Sequence, residues 1–76
     1  MNVQALIAFR SNVRTILDER GLSLRDAAEA AKMGYPYLHS ILSGKSNPSL
    51  VVAEKIANAL KVPLAELIQE KVSQPA

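Results

Sequence analysis

An all-α fold is predicted, and three observations carry the prediction. Apolar residues recur at spacings of three and four in successive segments, the period of helices with one buried face. No stretch alternates β-branched residues for more than a few positions, so no strand is expected. Gly, Ser, Asn and Pro cluster between the periodic segments, where they start and stop helices. The 76 residues are 49% hydrophobic but include only two Tyr and one Phe, which suits one small aliphatic core near the lower size limit for independent folding. A single domain is expected over residues 1–76.

The first helix is expected over residues 3–20, with Leu6, Phe9, Val13, Ile16 and Leu17 as its apolar stripe. Gly21 follows as a residue that adopts the left-handed conformation cheaply and ends the helix. Arg10 and Arg14 lie one turn apart on a flank of the stripe. Two readings of them are open, a solvated face and a pair of phosphate contacts.

Ser23 is a good N-cap for the second helix, with Asp26 three positions on in a capping-box pattern. Ala27, Ala28 and Ala31 form its inward face, small enough for the next helix to cross at close range. Only Lys32-Met33-Gly34 separates the periodic segments 24–31 and 35–42. That link is too short for a comfortable antiparallel return and suits a helix-turn-helix corner. Gly34 is read as the N-cap of the third helix and Pro36 as a first-turn residue, where a missing N–H costs nothing.

Helical projection of the third segment groups Leu38, Ile41 and Leu42 on one face. Pro36, Ser40 and Ser43 fall opposite, Tyr37 and His39 on the flanks, and Tyr35 projects end-on from the start. One apolar face and one short-chained polar face fit a helix that enters a major groove. Tyr37 also reads as a residue covering the edge of the core. Residues 43–49, SGKSNPS, form a polar loop with Gly44 at the helix exit. Its N–H groups, Lys45, Ser46 and Asn47 are candidate partners for phosphate oxygens.

Ser49 is expected to cap a fourth helix whose stripe is Leu50, Ala53, Ile56, Ala57 and Leu60. Val51 and Val52 either pad a partner surface or are single exposed apolar residues. A fifth helix is expected to open at Val62-Pro63-Leu64, with Leu64, Leu67 and Ile68 on one side, more apolar surface than a small bundle needs to close. Residues 72–76 read as a flexible tail.

Net charge is +2 and the isoelectric point near 9.2, which permits a polyanionic partner without demanding one. Distribution is more telling. None of the seven acids lies between Ala30 and Ala53, whereas Lys32, His39 and Lys45 do. The absence of cysteine excludes disulfides, thiolate metal sites and a cysteine nucleophile. His39 stands alone and is not expected to ligate a metal. No apolar run approaches the roughly 18 residues of a membrane span, and no signal-peptide pattern is present, so a cytoplasmic protein is expected. Asp26 and Glu29 lie on an exposed helix face without a nucleophile–base pair, so no enzyme and no cofactor are expected.

Residues 21–49, GLSLRDAAEAAKMGYPYLHSILSGKSNPS, resemble the lambda repressor-like (Cro/C1, XRE-type) DNA-binding domains, and the likeness extends over roughly residues 10–68. It implies a five-helix bundle whose second and third helices form the helix-turn-helix. It implies base reading by Tyr35, Pro36, His39 and Ser40, and DNA-backbone contacts by Arg25, Tyr37, Ser43, Lys45, Ser46 and Asn47. It also implies a homodimer joined through Leu64, Leu67 and Ile68, working as a repressor or autoregulator on a near-palindromic double-stranded operator, in the nucleoid and with no small-molecule effector. Three positions depart from the family pattern. Leu24 stands where many relatives carry a Gln that braces the reading residues, a task open to the adjacent Arg25. Lys32 stands where Gly is common, so either Lys32 takes a positive φ or the corner is built around Gly34. Leu17 and Leu42 replace an Arg–Glu pair, an exchange compatible with good packing. The alternative function, from another class, is a protein-interaction module or antitoxin-like component on the same fold.

Overall fold

A computed structural model describes residues 2–70; the tail expected at 72–76 lies outside them. Five helices and no strand are found among the described residues: α1 (Val3–Arg20), α2 (Leu24–Ala30), α3 (Tyr35–Ser43), α4 (Leu50–Leu60) and α5 (Leu64–Leu67). The expected all-α, five-helix class is the observed one. α1 packs against α3 and α5, α2 against α3 and α4, and α4 against α5. Their shared core is Phe9, Val13, Leu17, Ala27, Ala28, Leu38, Ile41, Leu42, Ala53, Ile56, Ala57, Leu60 and Leu67.

Helix starts follow local chemistry. The Asn2 side chain accepts from Ala5 N–H at 2.7 Å and caps α1, a start the periodicity alone does not reveal. Ser23 and Asp26 form the complete reciprocal capping box, at 3.0 and 2.9 Å. The Ser23 backbone N–H donates to the Asp26 carboxylate and favours its ionised form, and with a smaller contribution from the Ser23 hydroxyl it holds the Asp26 pKa below the usual 3.8. Ser49 accepts from Val52 N–H at the start of α4.

Helix ends share one motif. At the close of α1, α2, α3 and α4, the chain turns through a left-handed residue with paired 6→1 and 5→2 backbone bonds. Gly21 and Gly44 fill that place for α1 and α3, but Lys32 (φ 56°) and Lys61 (φ 58°) fill it for α2 and α4. Of the two ways to build the corner, the structure takes positive φ at Lys32. Gly34 keeps an extended conformation as N-cap of α3.

The arginines of α1 have a use that neither reading of Arg10 and Arg14 named, although Arg14 lies exposed as the solvated-face reading expects. Arg10 Nε donates to Ile41 O at 2.7 Å, and its Nη2 reaches Ser46 O and Asn47 Oδ1. Arg14 Nη2 donates to Leu42 O at 3.0 Å and Arg20 Nη1 to Leu60 O at 2.6 Å. Ile41 O, Leu42 O and Leu60 O lie in the last turns of α3 and α4, where helix carbonyls run out of i+4 partners, and Ile41 O is shared with Gly44 N–H; cations there also meet the negative ends of the helix dipoles.

Three further expectations change. Leu50, placed in the α4 stripe, is exposed beside Val51, whereas Val52 packs against the core. Leu67 is only 1% exposed and belongs to the core of one chain, with Leu64 and Ile68 packed half-buried against it. The apolar side of α5 is therefore not surplus to closing the bundle. Its short single turn is held by buried Asn12, whose Nδ2 donates to Leu67 O at 2.8 Å and Gln69 O at 2.9 Å.

Candidate nucleic-acid interface

The candidate interface grows from the way α2 fixes α3. Ala27, Ala28 and Ala31 are buried at 4, 2 and 5% exposure, and these small side chains let α3 pack closely across α2. Lys32 N–H closes on Glu29 O and Met33 N–H on Ala28 O, while Met33 itself packs against the core. That bonded, half-buried corner sets the direction in which α3 leaves.

Within α3, Leu38, Ile41 and Leu42 are buried as projected. Leu17 lies with Leu42 in the same core cluster, so the pair replaces an ionic contact by apolar burial. The other side of α3 presents Tyr35, Pro36, Tyr37 and His39 to solvent, and Tyr37 is 43% exposed, more a surface ring than a core cover. Ser40 is only half-buried, and its carbonyl accepts from Lys45 N–H, Ser46 N–H and Ser43 Oγ.

The base-reading candidates therefore share one exposed surface, with Ser40 set deeper than the rest. At its leading end Arg25 Cζ lies 4.7 Å from the centroid of the Tyr35 ring, and the Tyr35 and His39 rings are 6.0 Å apart and tilted by 39°. A guanidinium over an aromatic face is attracted by the ring quadrupole. Arg25 thus joins α2 to α3 through the Tyr35 ring, with His39 tilted against that ring. Sequence reasoning named all three residues without their contact. The signal available was the spacing of Tyr35 and His39, one helical turn apart.

The loop after α3 corrects one expectation. The N–H groups of Gly44, Lys45 and Ser46 bond to Ile41 O and Ser40 O, so they are not free for phosphate oxygens. What the loop leaves outward is side chains: Lys45, Ser43 and Asn47 are exposed and Ser46 is half-buried. Asn47 gives its Oδ1 to Arg10, which leaves its amide N–H groups as donors. Pro48 is buried and fixes the loop to the bundle. Of the backbone-contact candidates, Ser46 and Asn47 are thus held by Arg10 of α1, 36 and 37 residues away in sequence.

This exposed face suits binding, with donors and aromatic rings on one helix. No helix among the described residues is long and apolar enough to cross a membrane.

Comparison with known proteins agrees with this geometry. A family model described as helix-turn-helix matches residues 13–67. The chain is also 35% identical over 57 residues to the HTH-type transcriptional regulator DdrOP3 of Deinococcus deserti, across 75% of this chain and 44% of that protein. It spans less than half the length of this relative.

Proposed function

The chain belongs to the lambda repressor-like (XRE-type) helix-turn-helix family of DNA-binding transcriptional regulators, and we propose that it is a sequence-specific, dimeric repressor or autoregulator. α3 enters the major groove of a near-palindromic operator, with Tyr35, Pro36, His39 and Ser40 towards base edges. Tyr37, Ser43, Lys45, Ser46 and Asn47 face the phosphates, where contacts set register rather than sequence preference. Two copies related by a two-fold axis place their α3 helices about 34 Å apart, one turn of the duplex. Leu64 and Ile68, half-buried in one chain, complete their burial in the dimer, with Leu67 supporting them from the core. The protein works in the nucleoid, hence in the cytoplasm, and needs no effector.

The observation that carries this reading is the exposed aromatic and polar face of α3, whose opposite face packs closely in the bundle across the Ala-lined side of α2. Gel shifts on the DNA upstream of the gene, across a salt series, test it. Tyr35→Ala should erode preference for that DNA over random sequence. Lys45→Ala should weaken both and lower the salt slope by about one. No shift with any DNA at low salt overturns the reading and points to the protein-interaction module.

A further inference from the structure

Arg25 differs from every other arginine in the chain. Arg10, Arg14 and Arg20 donate to backbone carbonyls. Arg25 instead lays its guanidinium over Tyr35, 4.7 Å from the ring centroid, and no hydrogen bond among the described residues engages its N–H groups. The Tyr35 ring leans in turn towards His39, at 6.0 Å. Tyr35 begins α3, is 36% exposed and stands outside the core cluster. Arg25, one residue into α2, and His39, one turn along α3, supply the neighbours that restrict it.

We propose that Arg25 is a positioning residue for base recognition, acting through the Tyr35 ring rather than as a phosphate clamp. The inference rests on the reading of Tyr35 as a base-contacting residue. A phenol with two free torsions loses entropy when it docks on a base edge. A ring already held under a planar cation loses less, and prior ordering of that kind raises affinity for the site it fits. Because the loss falls only where Tyr35 meets its base, Arg25 contributes to the preference for one sequence over another. A phosphate contact would instead strengthen binding to all sequences alike. The α2–α3 corner makes the arrangement possible, since Lys32 and Met33 close it by backbone bonds and fix where Arg25 and Tyr35 stand.

The test is a double-mutant cycle on DNA. A duplex selected on the wild-type chain from a randomised pool is compared with a scrambled duplex of equal length and composition. Arg25→Ala should lower the preference for the selected duplex by about fivefold with the salt slope on scrambled DNA unchanged. In the Tyr35→Ala background the same substitution should change the preference little, because the ring it acts on is gone. Arg25→Lys keeps the charge but not the planar face, so it should not restore the preference. In the DNA-free protein, NMR should find the Arg25 δ and ε protons shifted upfield by the ring, and Tyr35→Leu should abolish that shift.

Equal weakening on both duplexes, with the salt slope lower by about one in either background, overturns the proposal in favour of a phosphate contact. So does full rescue by Arg25→Lys, or an Arg25 signal indifferent to Tyr35. If Tyr35→Ala itself leaves the preference intact, the base-reading assignment of Tyr35 has failed, and the proposal falls with it. Both side chains are exposed at the surface, and thermal melting of each variant separates these outcomes from loss of fold.

Discussion

Arg10, Arg14 and Arg20 on α1 and Arg25 on α2 put one residue type to opposite uses. The three on α1 reach across the bundle to carbonyls 28 to 40 residues away and close the ends of α3 and α4. Arg25 reaches no carbonyl among the described residues and lays its guanidinium over a ring. Arg14, Arg20 and Arg25 are all exposed, but only Arg25 lies against the outward side of α3. The position of each guanidinium relative to a helix C-terminus decides which part it serves.

The largest effect should come from the bracing side of the contrast. Asn12→Ala removes the amide that caps α5 and takes that donor from the buried carbonyl of Leu67 and the part-buried carbonyl of Gln69. A loss of about 2 kcal/mol is expected, lowering Tm by roughly 10 °C in a domain of this size. A thermal melt unchanged to within a degree would show that α5 needs no such brace.

Arg10→Ala sharpens the distinction between support and contact. It should cost about 1 kcal/mol of stability, since its bonds are charge-assisted but partly exposed. It should also raise amide exchange in residues 44–47, because the loop loses its tie to α1. Arg25→Ala should leave stability and exchange nearly unchanged. Equal behaviour of the two variants in denaturant titration would erase the contrast.

Lys32→Gly examines the corner that joins α2 to α3. The φ of 56° is strained for Lys and relaxed for Gly, while Gly orders at a higher entropic cost. A net gain of about 0.5 kcal/mol is expected in chemical unfolding. Destabilisation instead would mean that the Lys32 side chain supplies something its backbone strain conceals.

The smallest effect concerns Asp26. Its folded pKa is depressed by the Ser23 bonds, so its contribution is present above the unfolded value of about 3.9 and disappears as pH falls through the lower folded value. Wild type should therefore lose more stability than Asp26→Asn on acidification below pH 4. Parallel curves would mean that the capping box adds nothing in solution.

Local features were readable from residues alone. Ser23, Gly34 and Ser49 start helices, Gly21 and Gly44 end them, and Leu38, Ile41 and Leu42 turn inward. Each depends on neighbours within about one helical turn, which the sequence lists side by side. The exposed half of α3, with Tyr35, Pro36 and His39, was legible for the same reason, as the complement of its apolar face. The residues meeting at the interface were named, but not their stacking.

The sequence by itself determined the all-α class, the order of the helices and the corner between α2 and α3, because periodicity and caps act over a few residues. Only the packed bundle settles that Arg10, Arg14 and Arg20 bond to helix-end carbonyls, that Asn12 holds α5 and that Leu67 joins the core. It also decided that Arg25 rests on Tyr35. A side chain's role depends on the unpaired groups that other helices bring within 3 Å of it, and their crossing geometry is a property of the whole packed bundle.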